Sequence, residues 1–285
     1  MQGRYPRRRL REESSPAASP SSRYDQSVQE RLRIGTCQTQ EFLGDIDAAL
    51  TCIEGFARQA DAQDVDLLLF PECFLQGYLV NDDHMRTQAM ELSSARFASV
   101  LKRLSPIEQT LVFGVIERNG DRYCNTAVVV TQGVLVGVYR KTHLLPGEAL
   151  LDKGDAYPTF ELKGVRYGIN ICYDTQFAEA AAAVAAQGSH VLLVPAQNMM
   201  RRETAVRWKD LHHGIRAERA RETGMWLVSA DVTGERDEHR VGYGPTSVIS
   251  PQGEIVAQVP LMTTGMVIVE IPPLQDGRGQ NDRAG

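Results

Sequence analysis

Three residues follow β-like segments directly, and their types suit acyl chemistry. Leu67 to Phe70 is a short continuous apolar run that stops at Pro71 and is followed at once by Glu72. A carboxylate just past a strand buried on both faces meets a desolvated sheet edge, where its pKa rises and it becomes a usable proton acceptor. Tyr167 to Ile171 is a second buried run, and it leads into Cys172. A thiol at a strand-to-helix elbow lies near free backbone N–H groups, which favour the thiolate and can hold an oxyanion. The strand-like Val134 to Tyr139 runs into Arg140 and Lys141, a lysine leaving a β-strand. Taken singly, each has a plainer reading: a solvated loop glutamate, a surface lysine, a packed core cysteine. Cys172 differs from Cys37, Cys52, Cys73 and Cys124 in being followed by the polar Tyr173-Asp174-Thr175-Gln176, while the others sit among core-like residues.

Periodicity gives the elements that must position these groups. Leu32 to Cys37 reads as a strand, Asp45 to Asp61 as an amphipathic helix, and Val65 to Phe70 as a buried strand. A second helix is expected from about Met90 to Leu104, then strands over Leu111–Glu117, Cys124–Thr131 and Val134–Tyr139. The order then recurs: strand Val165–Cys172, helix Ala178–Gln187, strand His190–Pro195, helix Glu203–Thr223. Strands follow over Met225–Val232, Thr246–Ser250, Glu254–Val259 and Met266–Ile271. Two sheets with their helices on one face each can pack sheet to sheet, so the expected fold is an α/β four-layer α-β-β-α sandwich built of two similar halves. The domain is expected over 31–272. Residues 1–30, rich in Arg, Ser and Pro, read as a disordered tail, and 273–285 as a flexible C-terminal tail.

Composition narrows the function classes. The 285 residues carry 31 Lys+Arg against 36 Asp+Glu, and this acidic balance gives no global case for nucleic acid. No apolar run approaches the roughly 20 residues of a membrane helix. Five scattered cysteines form no CxxC pair, so reduced thiols and a cytoplasmic setting are expected rather than disulfides. His212-His213, His143 and His84 show no HxH or HExxH spacing, so no metal is expected.

Together, FPECFLQGY around Glu72, YRKTHL around Lys141 and NICYDTQF around Cys172 resemble the three signature segments of the nitrilase superfamily, the carbon–nitrogen hydrolases. The resemblance spans about 33–271 and implies the same α-β-β-α fold. It also implies a mechanism. Cys172 attacks a carbonyl and becomes a thioester, Glu72 moves the protons, and Lys141 with the Tyr173 backbone N–H stabilises the oxyanion. Glu148 matches the place of a second glutamate that positions substrate or water. No external cofactor is required, and a homodimer or larger homo-oligomer is implied.

Tyr173-Asp174 after the cysteine looks like the amidase and carbamoylase branches, where nitrile-hydrolysing members tend to have tryptophan and glutamate. Gln197 and Asn198 are candidates to hydrogen-bond an amide, and Arg201 or Arg202 to bind a carboxylate, although both arginines also suit an exposed helix start. The expected reaction is hydrolysis of a small carboxamide or N-carbamoyl compound. Nitrile hydrolysis, N-acyl transfer and a non-catalytic scaffold are the alternatives.

Overall fold

The computed structural model describes residues 31–273, so the segments 1–30 and 274–285, which hold almost all of the two expected tails, lie outside the described residues. The first half runs β1 (Leu32–Gln38), α1 (Ile46–Asp61), β2 (Leu67–Leu69), α2 (Asp82–Gln88), α3 (Ala95–Leu104), β3 (Thr110–Asn119), β4 (Arg122–Thr131) and β5 (Val134–Arg140). The second begins with β6 (Thr159–Leu162), β7 (Val165–Ile169), a 3-10 turn over Cys172–Gln176, α4 (Ala178–Ala185) and β8 (Val191–Pro195). It continues through β9 (Met200–Arg201), α5 (Arg202–Thr223), β10 (Trp226–Ala230), β11 (Thr233–Glu235), β12 (Arg240–Tyr243), β13 (Ser247–Ile249), β14 (Ile255–Gln258) and β15 (Gly265–Ile271).

Local chemistry sets several of these boundaries. Asp45 caps α1 by accepting from the Ala48 N–H at 2.9 Å, and Leu50, Ile53, Phe56 and Ala57 form its buried stripe. Gly224 ends α5 in the left-handed conformation, φ +69°, that a helix C-terminus favours. The helix expected from Met90 starts later: Met90 bridges to Glu117 in strand fashion, and Ser94 caps α3 by accepting from Phe97 N–H at 3.2 Å. Asn81 caps the unpredicted α2 in the same way, accepting from His84 N–H at 2.8 Å. The strand expected to reach Cys172 ends at Ile169, because the Ile171 N–H donates to the Asp174 carboxylate at 2.8 Å.

Two six-stranded sheets result, ordered β15-β1-β2-β3-β4-β5 and β14-β13-β10-β8-β7-β6, with β11-β12-β9 as a small third sheet. Residues such as Leu69, Val112 and Val129 from the first sheet and Ile169, Leu193 and Val228 from the second form one buried cluster between the sheets. Separate clusters bury α1 and α3 against the outer face of the first sheet, and α4 and α5 against that of the second. These are the four layers expected, built of duplicated halves. One assignment changes: the last strand, expected to extend the second half, pairs antiparallel with β1 along all seven residues and completes the first sheet. Among the described residues no helix is long and apolar enough to cross a membrane.

The parallel pairs β1/β2, β2/β3, β7/β8 and β8/β10 give both sheets strands whose carboxyl ends open at one place. Glu72, Cys172, Asn198 and Asp231 all follow such ends, which is where open α/β sheets place ligand sites.

Candidate active site

Glu72 is held by a tight crossing of backbones. Past β2 the chain turns across β3, with Gly114 N–H donating to the Pro71 carbonyl at 3.0 Å and Leu75 N–H to the Gly114 carbonyl at 3.0 Å. Only glycine fits at 114: a Cβ there would lie 2.1 Å from Cys73 N and 2.6 Å from the Glu72 carbonyl carbon. Cys73 itself has φ +46°, an uncommon conformation for a residue with a side chain. Glu72 is thereby buried. Its Oε1 accepts from Lys141 Nζ at 2.7 Å and from Asn125 Nδ2 at 2.7 Å, while its Oε2 has no hydrogen-bond partner among the described residues. Burial pushes the Glu72 carboxyl up, against the pull of the Lys141 charge, and the nearby Glu148 adds to the rise.

Lys141 follows β5 and is fully buried, its N–H donating to the Asn125 carbonyl at 2.9 Å. Its ammonium reaches Glu72 at 2.7 Å and Glu148 at 3.0 Å and lies 5.9 Å from the centre of the Tyr78 ring. Burial works against that charge, but the two carboxylates and Cys172 outweigh it and raise the pKa, so Lys141 stays protonated. Glu148 also accepts from the Tyr78 hydroxyl at 2.6 Å, the Leu145 N–H at 2.6 Å and Asn125 Nδ2 at 3.3 Å. Both of its oxygens accept from protein donors, which fixes it beside the Lys141 ammonium.

Cys172 opens the 3-10 turn with φ +43°, which projects the thiol from a sharp elbow. Asp174, fully buried, clamps that elbow to the Lys141 loop of the other sheet. It accepts from Ile171 N–H at 2.8 Å, His143 N–H at 2.8 Å, the Thr142 hydroxyl at 2.9 Å and the Tyr139 hydroxyl at 2.8 Å. The Cys172 Sγ lies 3.8 Å from Asn198 Oδ1, and Asn198 is fixed by Asp231, which accepts from both its backbone N–H (2.9 Å) and its side-chain amide. Burial and the Glu72 carboxylate push the Cys172 thiol up, against Lys141 and a hydrogen bond from the Gln197 backbone. Desolvation therefore opposes the local N–H groups that are expected to favour the thiolate. Burial also raises Cys37, Cys52, Cys73 and Cys124. What separates Cys172 from them is place, since it shares a cleft of about 750 Å³ with Glu72.

The other expected residues divide. Tyr173 lines the cleft, its ring edge-on to Phe177 at 5.2 Å between centroids. Gln197 and Asn198 line it too, each giving one of its two amide donors, to Glu41 and Asp231 respectively. Arg201 reaches the cleft. Arg202 is instead tied to Glu235 at 3.0 Å and to the Glu238 carbonyl at 2.7 Å. His212 faces the cleft beside Trp208, its pKa pushed down to about 3 by burial and by the nearby Arg216 and His213, so its ring is neutral.

Sequence reasoning missed Asn125, Asp174, Asp231 and Arg240. Asp174 and Asp231 carried a usable signal, since each is a polar residue at or just past a buried strand end, as Glu72 is. Asn125 sits inside a strand and Arg240 in a loop-flanked one, and neither is marked by local pattern.

Comparison with known proteins follows the same lines. A family model described as carbon-nitrogen hydrolase matches residues 33–275. The chain is 31% identical over 196 residues to an (R)-stereoselective amidase of a Pseudomonas species, covering 68% of this chain and 69% of the relative. It is 29% identical over 218 residues to a human omega-amidase, covering 71% and 75%. The crystal structure of an amidase from Nesterenkonia sp. superposes with a TM-score of 0.73 at 26% identity, covering 86% of this chain and 92% of that one. A mutant of that amidase, bearing the acetamide moiety of fluoroacetamide on its active-site cysteine, superposes with a TM-score of 0.74 at 25% identity, covering 86% and 92%. Matched by the family model over most of its length, the chain belongs to the carbon–nitrogen hydrolases of the nitrilase superfamily, in their amidase-like branch, and is a cysteine-dependent amidohydrolase.

Proposed function

We propose that the chain hydrolyses the C–N bond of a small carboxamide or N-carbamoyl compound through a thioester on Cys172, with Glu72 and Lys141 completing the catalytic group. The observation that carries this reading is Glu72 Oε2, a buried carboxylate oxygen without a protein partner among the described residues, in the cleft that also holds the Cys172 thiol. As the Cys172 sulfur bonds to the carbonyl carbon, its proton passes to Oε2. Lys141 has three donors; two are spent on Glu72 and Glu148, and the third, with the Tyr173 backbone N–H, stabilises the tetrahedral oxyanion. Collapse breaks the C–N bond while Glu72 returns the proton to the leaving nitrogen. Water then adds to the thioester, giving its proton to Glu72, and the acid departs as the thiol is restored.

Retaining a high-pKa thiol is consistent with this scheme, because the proton is removed only as the S–C bond forms. The amidases among the similar proteins support an amide as substrate. The test is ammonia release across a panel of amides, ureido acids and nitriles. Release from amides or ureido acids, abolished by Cys172→Ala, is expected. Release from nitriles alone, or an active Cys172→Ala protein, would remove the reading.

A further inference from the structure

The outer end of the cleft carries a charge arrangement that the proposed reaction does not use. β9 and β12 pair antiparallel with Arg201 directly opposite Arg240. Residues so paired project from the same face with their Cβ atoms about 5 Å apart, and like charges there repel unless something lies between them. Both line the cleft, Arg201 exposed and Arg240 half-buried. Among the described residues neither guanidinium has a carboxylate partner or a hydrogen-bond acceptor. Their neighbours are neutralised: Arg202 by Glu235, and Arg236 by Glu41 with a further bond to the Tyr78 carbonyl at 3.0 Å. Asp237 also lines the cleft and its carboxylate feels the Arg240 charge, but it makes no ion pair with that guanidinium and accepts instead from the backbone N–H groups of His239 and Arg240, both at 2.8 Å.

The hairpin that presents the two arginines is fixed. Arg202 N–H donates to the His239 carbonyl at 2.9 Å, and its side chain bonds the Glu238 carbonyl across the same turn. At the inner end, two carboxylates share the single Lys141 ammonium, which gives an anion no attraction there. Leu145, Met199 and Trp208 supply apolar wall to the same cleft. A molecule with an uncharged amide at one end and an anion at the other is thus drawn in one orientation only.

We propose that Arg201 and Arg240 form a carboxylate-binding subsite, so that the substrates are amides whose far end carries a carboxylate. The guanidinium fork matches the two carboxylate oxygens in geometry as well as charge. This deepens the Cys172 reading and rests on it for turnover, while the binding claim can be judged separately.

Succinamate, glutaramate and adipamate, monoamides of diacids of increasing length, are each compared with their methyl esters, which keep the amide and remove the charge. For the best-fitting length, wild-type kcat/KM measured by ammonia release should favour the acid by about 10- to 100-fold, the size of a charge-assisted hydrogen bond. That ratio should fall towards one in Arg201→Gln/Arg240→Gln. Added salt should lower kcat/KM for the acid more than for the ester in the wild-type protein, a readout that needs no variant. A wild-type ratio near one, or a preference that survives in the double variant, would overturn the subsite while leaving the Cys172 reading intact. Absence of ammonia from all six compounds, with release from other amides or ureido acids, would overturn the substrate claim and leave the Cys172 reading intact. Calorimetric titration of glutaramate then decides the subsite: binding that the double variant loses supports it, and no binding to wild type overturns it.

Discussion

The two oxygens of Glu72 meet different surroundings. Oε1 is saturated by Lys141 and Asn125, while Oε2 faces no protein donor among the described residues, so one buried carboxylate is both anchored and free to take a proton. Because burial raises its pKa, ionised Glu72 is lost at a higher pH than for an ordinary carboxylate, whose pKa is about 4.3. The alkylation rate of Cys172 by iodoacetamide should therefore fall on acidification through a midpoint above that value, and Cys172 should react ahead of the other four cysteines. The Lys141 charge pulls the Glu72 pKa down, so removing it raises that pKa. In Lys141→Met the midpoint should move to higher pH. A midpoint that stays put or moves to lower pH would show that Lys141 does not act on this carboxylate.

At the scale of elements, the site depends on how closely two backbones cross. The turn carrying Glu72 lies against β3 at Gly114, where a Cβ would strike backbone that cannot swing aside. Gly114→Ala should cost about 1–3 kcal/mol or more in denaturant unfolding and lower kcat by displacing Glu72. Wild-type stability with wild-type kcat would show that the crossing is not needed. The strands that lead to Glu72, Lys141 and Cys172 are legible in the sequence, because buried β-runs followed closely by polar residues are a local pattern. The sequence does not display the lateral contacts. Asn125 reaches Glu72 from 53 residues away, and Asp174 holds a loop 31 residues earlier. Nor does it show that β15 returns to β1, since a strand's own pattern says nothing about which edge it joins. The helix expected from Met90 starts later for a related reason: apolar spacing continues through Met90, whose backbone pairs with Glu117 instead.

At the scale of the molecule, the group is assembled across two sheets. Glu72 and Lys141 come from the first and Cys172 from the second, and the Asp174 clamp together with the apolar layer between the sheets fixes their relation. In the proposed reaction neither half carries the chemistry alone. Closing the first sheet with β15 ties the last strand of the second half beside β1, so both halves share one framework under the cleft. The small β9-β11-β12 sheet then carries Arg201 and Arg240 to the outer part of the cleft, where we place the carboxylate subsite.

The central claim is that a carboxylate from one sheet drives a thioester on a cysteine of the other. Acid-quenched mixing with a turned-over amide, followed by peptide mass analysis, tests it most directly. The acyl mass should appear on the Cys172 peptide, and its formation should slow by about 10²-fold or more in Glu72→Gln, the size of a general acid–base contribution. Acyl mass on another residue, or unchanged formation in Glu72→Gln, would contradict it.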